Sequence, residues 1–323
     1  MKKIRLAILA GGWSGEREVS QGSGRAVYDA LDRNRYEITF YDPKEHLLSL
    51  IENKDAIDLA FILLHGKMGE DGCLQGFLEL LSIPYVGSGV LSSALAMNKK
   101  LAKEVYRSVG LQVPAQVILK RGEEIRPRFY REYLGEKVVV KPVSEGSSLG
   151  ISICSSEVDL RIGIGKALLL DEEVMLEEHV AGREITCGVL GNAELETLPL
   201  IEIAPNPPYD FFDYEAKYTS GATREICPAD LDETVAEKIR EFAKLAHQAL
   251  QCRVWSRTDT IIRGDEIFLL ETNTIPGMTQ NSLFPLAART AGLSMAELVE
   301  RLIQLSLEKT DPECVRSRKR ADA

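Results

Sequence analysis

Apolar residues recur along this chain with two alternating periods. Short runs of branched and aromatic residues at 4–9, 38–41 and 59–64 predict strands, while spacing of three to four at 18–31, 47–53 and 73–81 predicts helices. This strand–helix alternation implies a parallel sheet with ligand sites at the carboxyl ends of its strands. Ala10-Gly11-Gly12 and His65-Gly66 fall at two such ends. A long helical stretch follows from 88 to about 109, and Val113-Pro114 opens a second unit. There the pattern gives a strand at 138–140, a Gly/Ser-rich turn, a strand at 150–154 and a helix at 157–170 weakened by Gly163 and Gly165. Strands at 174–176, 185–190 and 198–203 make this part α+β. A third unit holds an aperiodic segment at 204–229, a helix at 232–250, two strands around Gly264-Asp265, and helices at 283–290 and 294–307. The expected organisation is α/β: an N-terminal parallel-sheet domain at 1–110, two α+β units at 111–190 and 191–308, and a disordered tail at 309–323 with a basic run at 316–320.

Composition narrows the function classes. At 323 residues, 45% hydrophobic and 27% charged, the chain is an ordinary globular protein. A net charge of −10 argues against a general nucleic-acid binder, yet leaves room for a few lysines around a nucleotide. The six cysteines are scattered without a Cys-x-x-Cys, which suits reduced thiols and neither a disulfide framework nor a zinc site. No apolar run approaches a membrane span, and Met1-Lys2-Lys3-Ile4 leads straight into a strand, so a cytoplasmic protein without membrane partners is expected.

The two strands around Gly264 carry the most telling chemistry. Arg257 and Asp259 stand two apart, as do Glu271 and Asn273, so each pair shares a strand face. A three-residue loop of Gly264, Asp265 and Glu266 sets Asp259 opposite Glu271 and Arg257 opposite Asn273. A two-residue loop would pair Asp259 with Leu270 and turn Glu271 to the other face. A metal site thus requires the odd-numbered loop. Clustered oxygens of Asp259, Glu271 and Asn273 suit a hard cation, and Mg²⁺ usually arrives with substrate phosphates. The other reading is a half-buried hairpin whose polar side faces water.

Five further segments carry candidate chemistry, most of them with a plain reading beside the functional one. The turn between Lys141 and Gly150 offers backbone N–H groups and a lysine to phosphate oxygens, or is a hairpin turn solvated by serines; it is not a Walker A loop. Glu16, after Gly11-Gly12, meets an ammonium group or simply favours a helix N-terminus, and the Gly-x-Gly-x-x-Gly spacing of a dinucleotide loop is not met. The loop from His65 to Gly72 either binds a small ligand or leads to a helix capped by Asp71. The long segment 205–218 reads as a lid or binding loop, or else as disordered; its aromatic residues argue against disorder, and Lys217 and Tyr218 stand at its tip. Pro276 to Ser282 precedes a helix and offers N–H groups to an oxyanion or carboxylate.

Together these stretches resemble the ATP-grasp superfamily and, within it, the D-alanine–D-alanine ligase family. The matching segments are Gly11 to Ser20, His65 to Gly72, Ile83 to Val90, Lys141 to Gly150, Asp213 to Tyr218, Cys227 to Ala229 and Glu271 to Thr279, in the family's order. The resemblance implies that Lys99, Lys141 and Lys217 hold ATP phosphates, with Ser147 and Ser148 in a closing loop. It makes Glu177, Glu178, His179 and Val180 the adenine hinge, and Glu184 a ribose ligand. Asp259, Glu271 and Asn273 would bind two Mg²⁺ ions, with Mn²⁺ as a substitute. Glu16, near His65, would take the ammonium of the first D-alanine. Arg257 and the Gly277 N–H would stabilise the oxyanion, and Tyr218 and Ser282 would position the second D-alanine. Glu16, Ser147 and Tyr218 would be linked by hydrogen bonds. The implied reaction joins two D-alanines through a D-alanyl phosphate for peptidoglycan precursors, in a homodimer.

Some positions depart from the family pattern. Asn98 replaces a common Asp, Val254 a usual Gly, and Thr258 and Thr260 more apolar residues. The Lys217–Tyr218 pair favours an amine as second substrate. Rival readings are a ligase for another amino acid or dipeptide, a non-catalytic nucleotide-binding regulator, which would be expected to lack an essential ligand, and a dehydrogenase resting only on the first strand–helix turn.

Overall fold

Four parallel strands open the chain: β1 (Ile4–Leu9), β2 (Tyr36–Tyr41), β3 (Leu59–Ile62) and β4 (Tyr85–Val86), in the order β2-β1-β3-β4. The computed structural model describes residues 2–146, 149–206 and 223–308. Helices α1 (Arg17–Ala30), α2 (Pro43–Glu52) and α3 (Cys73–Leu80) make the crossovers. All four residues of β3 are buried, as a strand covered on both faces requires. Asp42, at the end of β2, is already engaged: it accepts from Gly12 N at 2.9 Å and Lys44 N at 3.0 Å and pairs with Arg17 at 2.6 Å. It caps α2 and braces the glycine turn, the two jobs a ribose-binding carboxylate would have to give up.

The single helix predicted over 88–109 is two: α4 (Val90–Met97) and α5 (Lys99–Ser108). Asn98 has extended backbone and its side chain accepts from Leu101 N at 3.0 Å. An amide oxygen caps the helix as a carboxylate would, so this departure from the family pattern keeps the local structure.

A second, antiparallel sheet holds β5 (Gln116–Lys120), β6 (Val138–Pro142), β7 (Ser152–Cys154) and β8 (Glu173–Glu178), in the order β5-β8-β6-β7. Helices α6 (Pro127–Leu134) and α7 (Glu157–Leu168) pack on the face formed by Val138, Val140, Val174 and Leu176. Strand alternation turns Val139, Lys141 and Glu177 to the other face. The third sheet comprises β9 (Arg183–Gly191), β10 (Leu195–Thr197), β11 (Ile201–Pro205), β12 (Thr223–Ile226), β13 (Val254–Arg263) and β14 (Glu266–Asn273). β9 pairs with β11 and β13, so the strand at 185–190, assigned from the sequence to the central unit, is hydrogen-bonded into the C-terminal sheet. Helices α8 (Glu233–Ala249), α9 (Leu283–Thr290) and α10 (Met295–Leu307) complete it.

The hairpin of β13 and β14 reaches its register by a route the sequence did not disclose. Arg263 pairs with Glu266, leaving a two-residue turn of Gly264-Asp265 rather than the three-residue loop expected. Gly264 has φ +59, which the first central position of a tight hairpin turn demands. Continued regularly, that turn would turn Glu271 away. A β-bulge corrects it: Thr260 faces Leu269 while Asp259 faces Glu271, with Leu270 as the extra residue. Arg257 then faces Asn273, as the functional reading requires.

One core runs from the parallel sheet into the C-terminal sheet. At its centre Trp255 is fully buried, edge-on to Phe61 of β3 at 6.3 Å and to Phe284 of α9 at 5.2 Å. Beside it Val254 has φ 70, a strained conformation for a β-branched residue, and its side chain is buried in the same core. Burial thus offsets strain where the family commonly has glycine. Thr258 and Thr260 are buried but satisfied, through Thr272 Oγ1 at 3.1 Å and the Ile185 carbonyl at 2.8 Å. Among the described residues no helix is long and apolar enough to cross a membrane. Trp255→Ala is expected to cost about 3–5 kcal/mol of stability, because the cavity it leaves lies between two sheets and cannot collapse from one side; urea unfolding followed by circular dichroism checks this.

Candidate active site

The strand ends of the first sheet and the hairpin of the third enclose a cavity of about 340 Å³. Glu16, His65, Lys99, Arg257, Glu271, Asn273, Gly277 and Ser282 all line it. Each arrives from a different local device. Glu16 is the N-cap of α1, so its carboxylate is both at a helix N-terminus and in the cavity wall. His65 follows the carboxyl end of β3, Lys99 is the first residue of α5, and Ser282 is the N-cap of α9. Ser282 Oγ accepts from Thr279 N at 3.1 Å, and a Cβ on Gly277 would stand 2.8 Å from that oxygen. Glycine there lets the backbone approach closely.

Charge is concentrated in this wall. Asp259 is buried beneath it and accepts from Arg257 twice, at 2.9 and 2.8 Å, from Thr186 Oγ1 at 2.5 Å and from Asn273 Nδ2 at 3.1 Å. The paired bonds fix the guanidinium plane of Arg257. Burial disfavours that cation, but Asp259 and Glu271 outweigh it and raise its pKa. Lys99 Nζ lies 3.9 Å from Glu271 and donates to the Glu145 carbonyl.

Among the described residues no three His, Cys, Asp or Glu side chains form a ready metal cluster. The candidate set differs in kind: two carboxylates on facing strand positions and an amide beside them. Arg257 and Lys99 stand against the carboxylates where a cation's charge belongs. Three adjacent oxygen donors of this type fit a hard cation.

His65 is buried, with Nδ1 3.8 Å from Glu70, whose other oxygen accepts from Gly66 N at 2.7 Å. Burial disfavours the imidazolium; Glu70 and then Glu16 outweigh it, and the pKa is raised. Glu70 also lines the cavity and escaped the sequence reading, although its position four residues after Gly66 in a tight loop was a usable signal.

Not every expected residue lines this cavity. Lys141 and Glu177 face away from α6 and α7 and are paired at 2.9 Å, with Lys103 on the same carboxylate. Glu178 pairs with Arg263 at 2.5 Å, and Val180 is buried in the link from β8 to β9. His179 in that link is half-buried, and burial lowers its pKa. Glu184 on β9 adds to the field at Arg257. Ser147, Ser148, Lys217 and Tyr218 lie outside the described residues.

With this geometry, comparison with known proteins is specific. Residues 105–304 match the family model "D-ala D-ala ligase C-terminus" and residues 42–88 the model "D-ala D-ala ligase N-terminus". A D-alanine–D-alanine ligase of Syntrophobacter fumaroxidans is 52% identical over 307 residues, covering 95% of this chain and 99% of that protein. One from Desulfotalea psychrophila is 48% identical over 311 residues, covering 96% and 97%. The crystal structure of the Bacillus anthracis D-alanine–D-alanine ligase complexed with ATP superposes with a TM-score of 0.83 at 33% identity, covering 98% of this chain and 99% of that one. The VanG D-Ala:D-Ser ligase of Enterococcus faecalis gives 0.82 at 33% identity, covering 95% and 100%.

Because Glu70 raises the His65 pKa, the imidazole is expected to titrate above its ordinary value, and Glu70→Gln to bring it down. A raised histidine pKa contributes stability that is complete below the unfolded value and is lost as pH rises through the folded one. NMR titration of the imidazole signals, with only four histidines to assign, checks the direction. By its two matching domain models and near-complete coverage of its relatives, the chain belongs to the D-alanine–D-alanine ligase family.

Proposed function

We propose that this protein joins two D-alanines to D-alanyl-D-alanine with consumption of ATP, through a D-alanyl phosphate, supplying peptidoglycan precursors in the cytoplasm. One observation carries the reading: an ammonium-seeking carboxylate, Glu16, and an oxyanion-seeking cation, Arg257, line the same small cavity as Lys99 and the Glu271–Asn273 strand. That wall suits an amino acid at one end and phosphate at the other.

The chain's own residues divide the work. Glu16 and His65 receive the first D-alanine, with its carboxylate directed toward the nucleotide. A carboxylate oxygen attacks the γ-phosphorus of ATP, and ADP leaves. Lys99, Lys141 and Lys217 offset phosphate charge, assisted by Ser147 and Ser148. Glu177, Glu178, His179 and Val180 hold the adenine, and Glu184 the ribose. Asp259, Glu271 and Asn273 hold Mg²⁺, which when bound supplies charge that offsets the build-up on the phosphoryl oxygens. The neutral amine of the second D-alanine, positioned by Tyr218 and Ser282, then attacks the acyl carbonyl. Arg257 and the Gly277 N–H receive the oxyanion, phosphate leaves, and the nitrogen loses a proton. Asp259 keeps Arg257 in plane throughout. The acyl phosphate must be kept from water, which would hydrolyse it. A homodimer is the expected assembly.

A second reading has specific support, since VanG, a D-Ala:D-Ser ligase, shares the whole fold. ADP release with D-alanine alone, against D-alanine plus D-serine or D-lactate, separates them. Turnover only with a mixed pair would sink the D-alanyl-D-alanine assignment. Glu271→Gln is expected to lower kcat by about 100- to 1,000-fold or more while circular dichroism stays native; wild-type turnover in that variant would remove Glu271 from the metal set.

A further inference from the structure

Lys103 is fully buried, with none of its side chain exposed, a position a lysine occupies only when paired. It projects from α5, four residues after Lys99 and so on the same helix face. Its ammonium pairs with one carboxylate oxygen of Glu177 on β8; Lys141 of β6 pairs with the other oxygen at 2.9 Å. Glu177 is 3% and Lys141 9% exposed, so all three charges are withdrawn from water. Burial pushes the Lys103 ammonium down, to about 7, whereas for Glu177 the two lysines outweigh burial and hold the carboxyl below its usual range.

With Lys103 protonated, the group carries two positive charges and one negative. A bare Lys141–Glu177 pair would be neutral, and drawing Lys141 toward an anion would leave a buried carboxylate without a partner. Breaking a buried pair in that way is strongly unfavourable. With Lys103 present, Glu177 stays neutralised whichever way Lys141 turns, and the surplus charge is completed by an incoming anion. We propose that Lys103 is a positioning residue for the nucleotide: by holding Glu177 it releases Lys141 to a phosphate oxygen. The proposal rests on the assignment of Lys141 and Glu177 to the nucleotide site.

The test measures KM for ATP, KM for D-alanine, kcat and Tm in the full-length wild type, Lys103→Met, Lys141→Met and the double variant. Lys103→Met is expected to raise KM for ATP at least tenfold and to change KM for D-alanine less than twofold. In the Lys141→Met background the same change is expected to add less than twofold, because Lys103 acts through Lys141. Should Lys103→Met not fold, Lys103→Gln, which keeps a donor for Glu177 without the charge, takes its place under the same criteria. A fall in Tm with unchanged KM for ATP, or equal losses for both substrates, would mean a packing role and overturn the proposal. If Lys141→Met itself leaves KM for ATP unchanged, the nucleotide assignment fails first. If Lys141→Met raises it and Lys103→Met does not, only the role of Lys103 fails.

Discussion

The chemistry of this protein depends on the register of one antiparallel strand pair. Asp259 opposite Glu271 and Arg257 opposite Asn273 put two carboxylates, an amide and a guanidinium on one surface. A slip of one residue would send Glu271 to the opposite face. The tight Gly264-Asp265 turn favours that slip, and the bulge at Leu270 prevents it. The bulge is anchored from outside the hairpin, since Leu269 N donates to the Gln112 carbonyl at 2.8 Å and its side chain is fully buried. Packing thus overrules the turn, and the site inherits its geometry from packing.

Buried charge is the second constraint. Two buried carboxylates at or near the site are each met by more than one donor: Asp259 by Arg257, Thr186 and Asn273, and Glu177 by two lysines. A lone buried ion pair gains little over an apolar pair and loses heavily when one partner moves. Multiple partners remove that penalty for residues that must exchange partners when substrate arrives. The same logic separates Asp42, whose partners Gly12, Lys44 and Arg17 all belong to its own neighbourhood and fix a turn.

Much of the fold was legible because periodicity reports burial. The first strand, the 283–290 helix and the strand–helix alternation of the N-terminal domain follow from apolar spacing alone. The misses share a physical cause. α6 is eight residues, largely charged and aromatic, and although its buried Pro127, Tyr130 and Leu134 keep a helical spacing, two turns are too short to stand out from a loop. The break at Asn98 shows no gap in the apolar pattern, because a capping residue changes direction without changing burial. β9 was placed with the wrong sheet because pairing partners are a property of the assembled chain. The metal-strand pairs were found through their spacing, whereas Lys103 was not, even though it repeats Lys99 at helical distance; a buried lysine reads in sequence like a solvated one.

That repeat also shows why the helix break matters. Asn98 ends α4 and starts α5, which sets Lys99 at the first position of the new helix and Lys103 one turn later on its buried face. Lys99 reaches Glu271 on the third sheet and the Glu145 carbonyl beside the second, while Lys103 reaches Glu177 on the second. A single short helix therefore ties the second and third sheets to the end of the parallel-sheet domain through charge pairs as well as apolar contacts. Apolar packing tolerates small shifts, but an ammonium against a carboxylate is selective in distance and direction. If an anion binds between the sheets as proposed, these pairs are the ones it would meet, from a helix that begins in the wall of the amino-acid cavity.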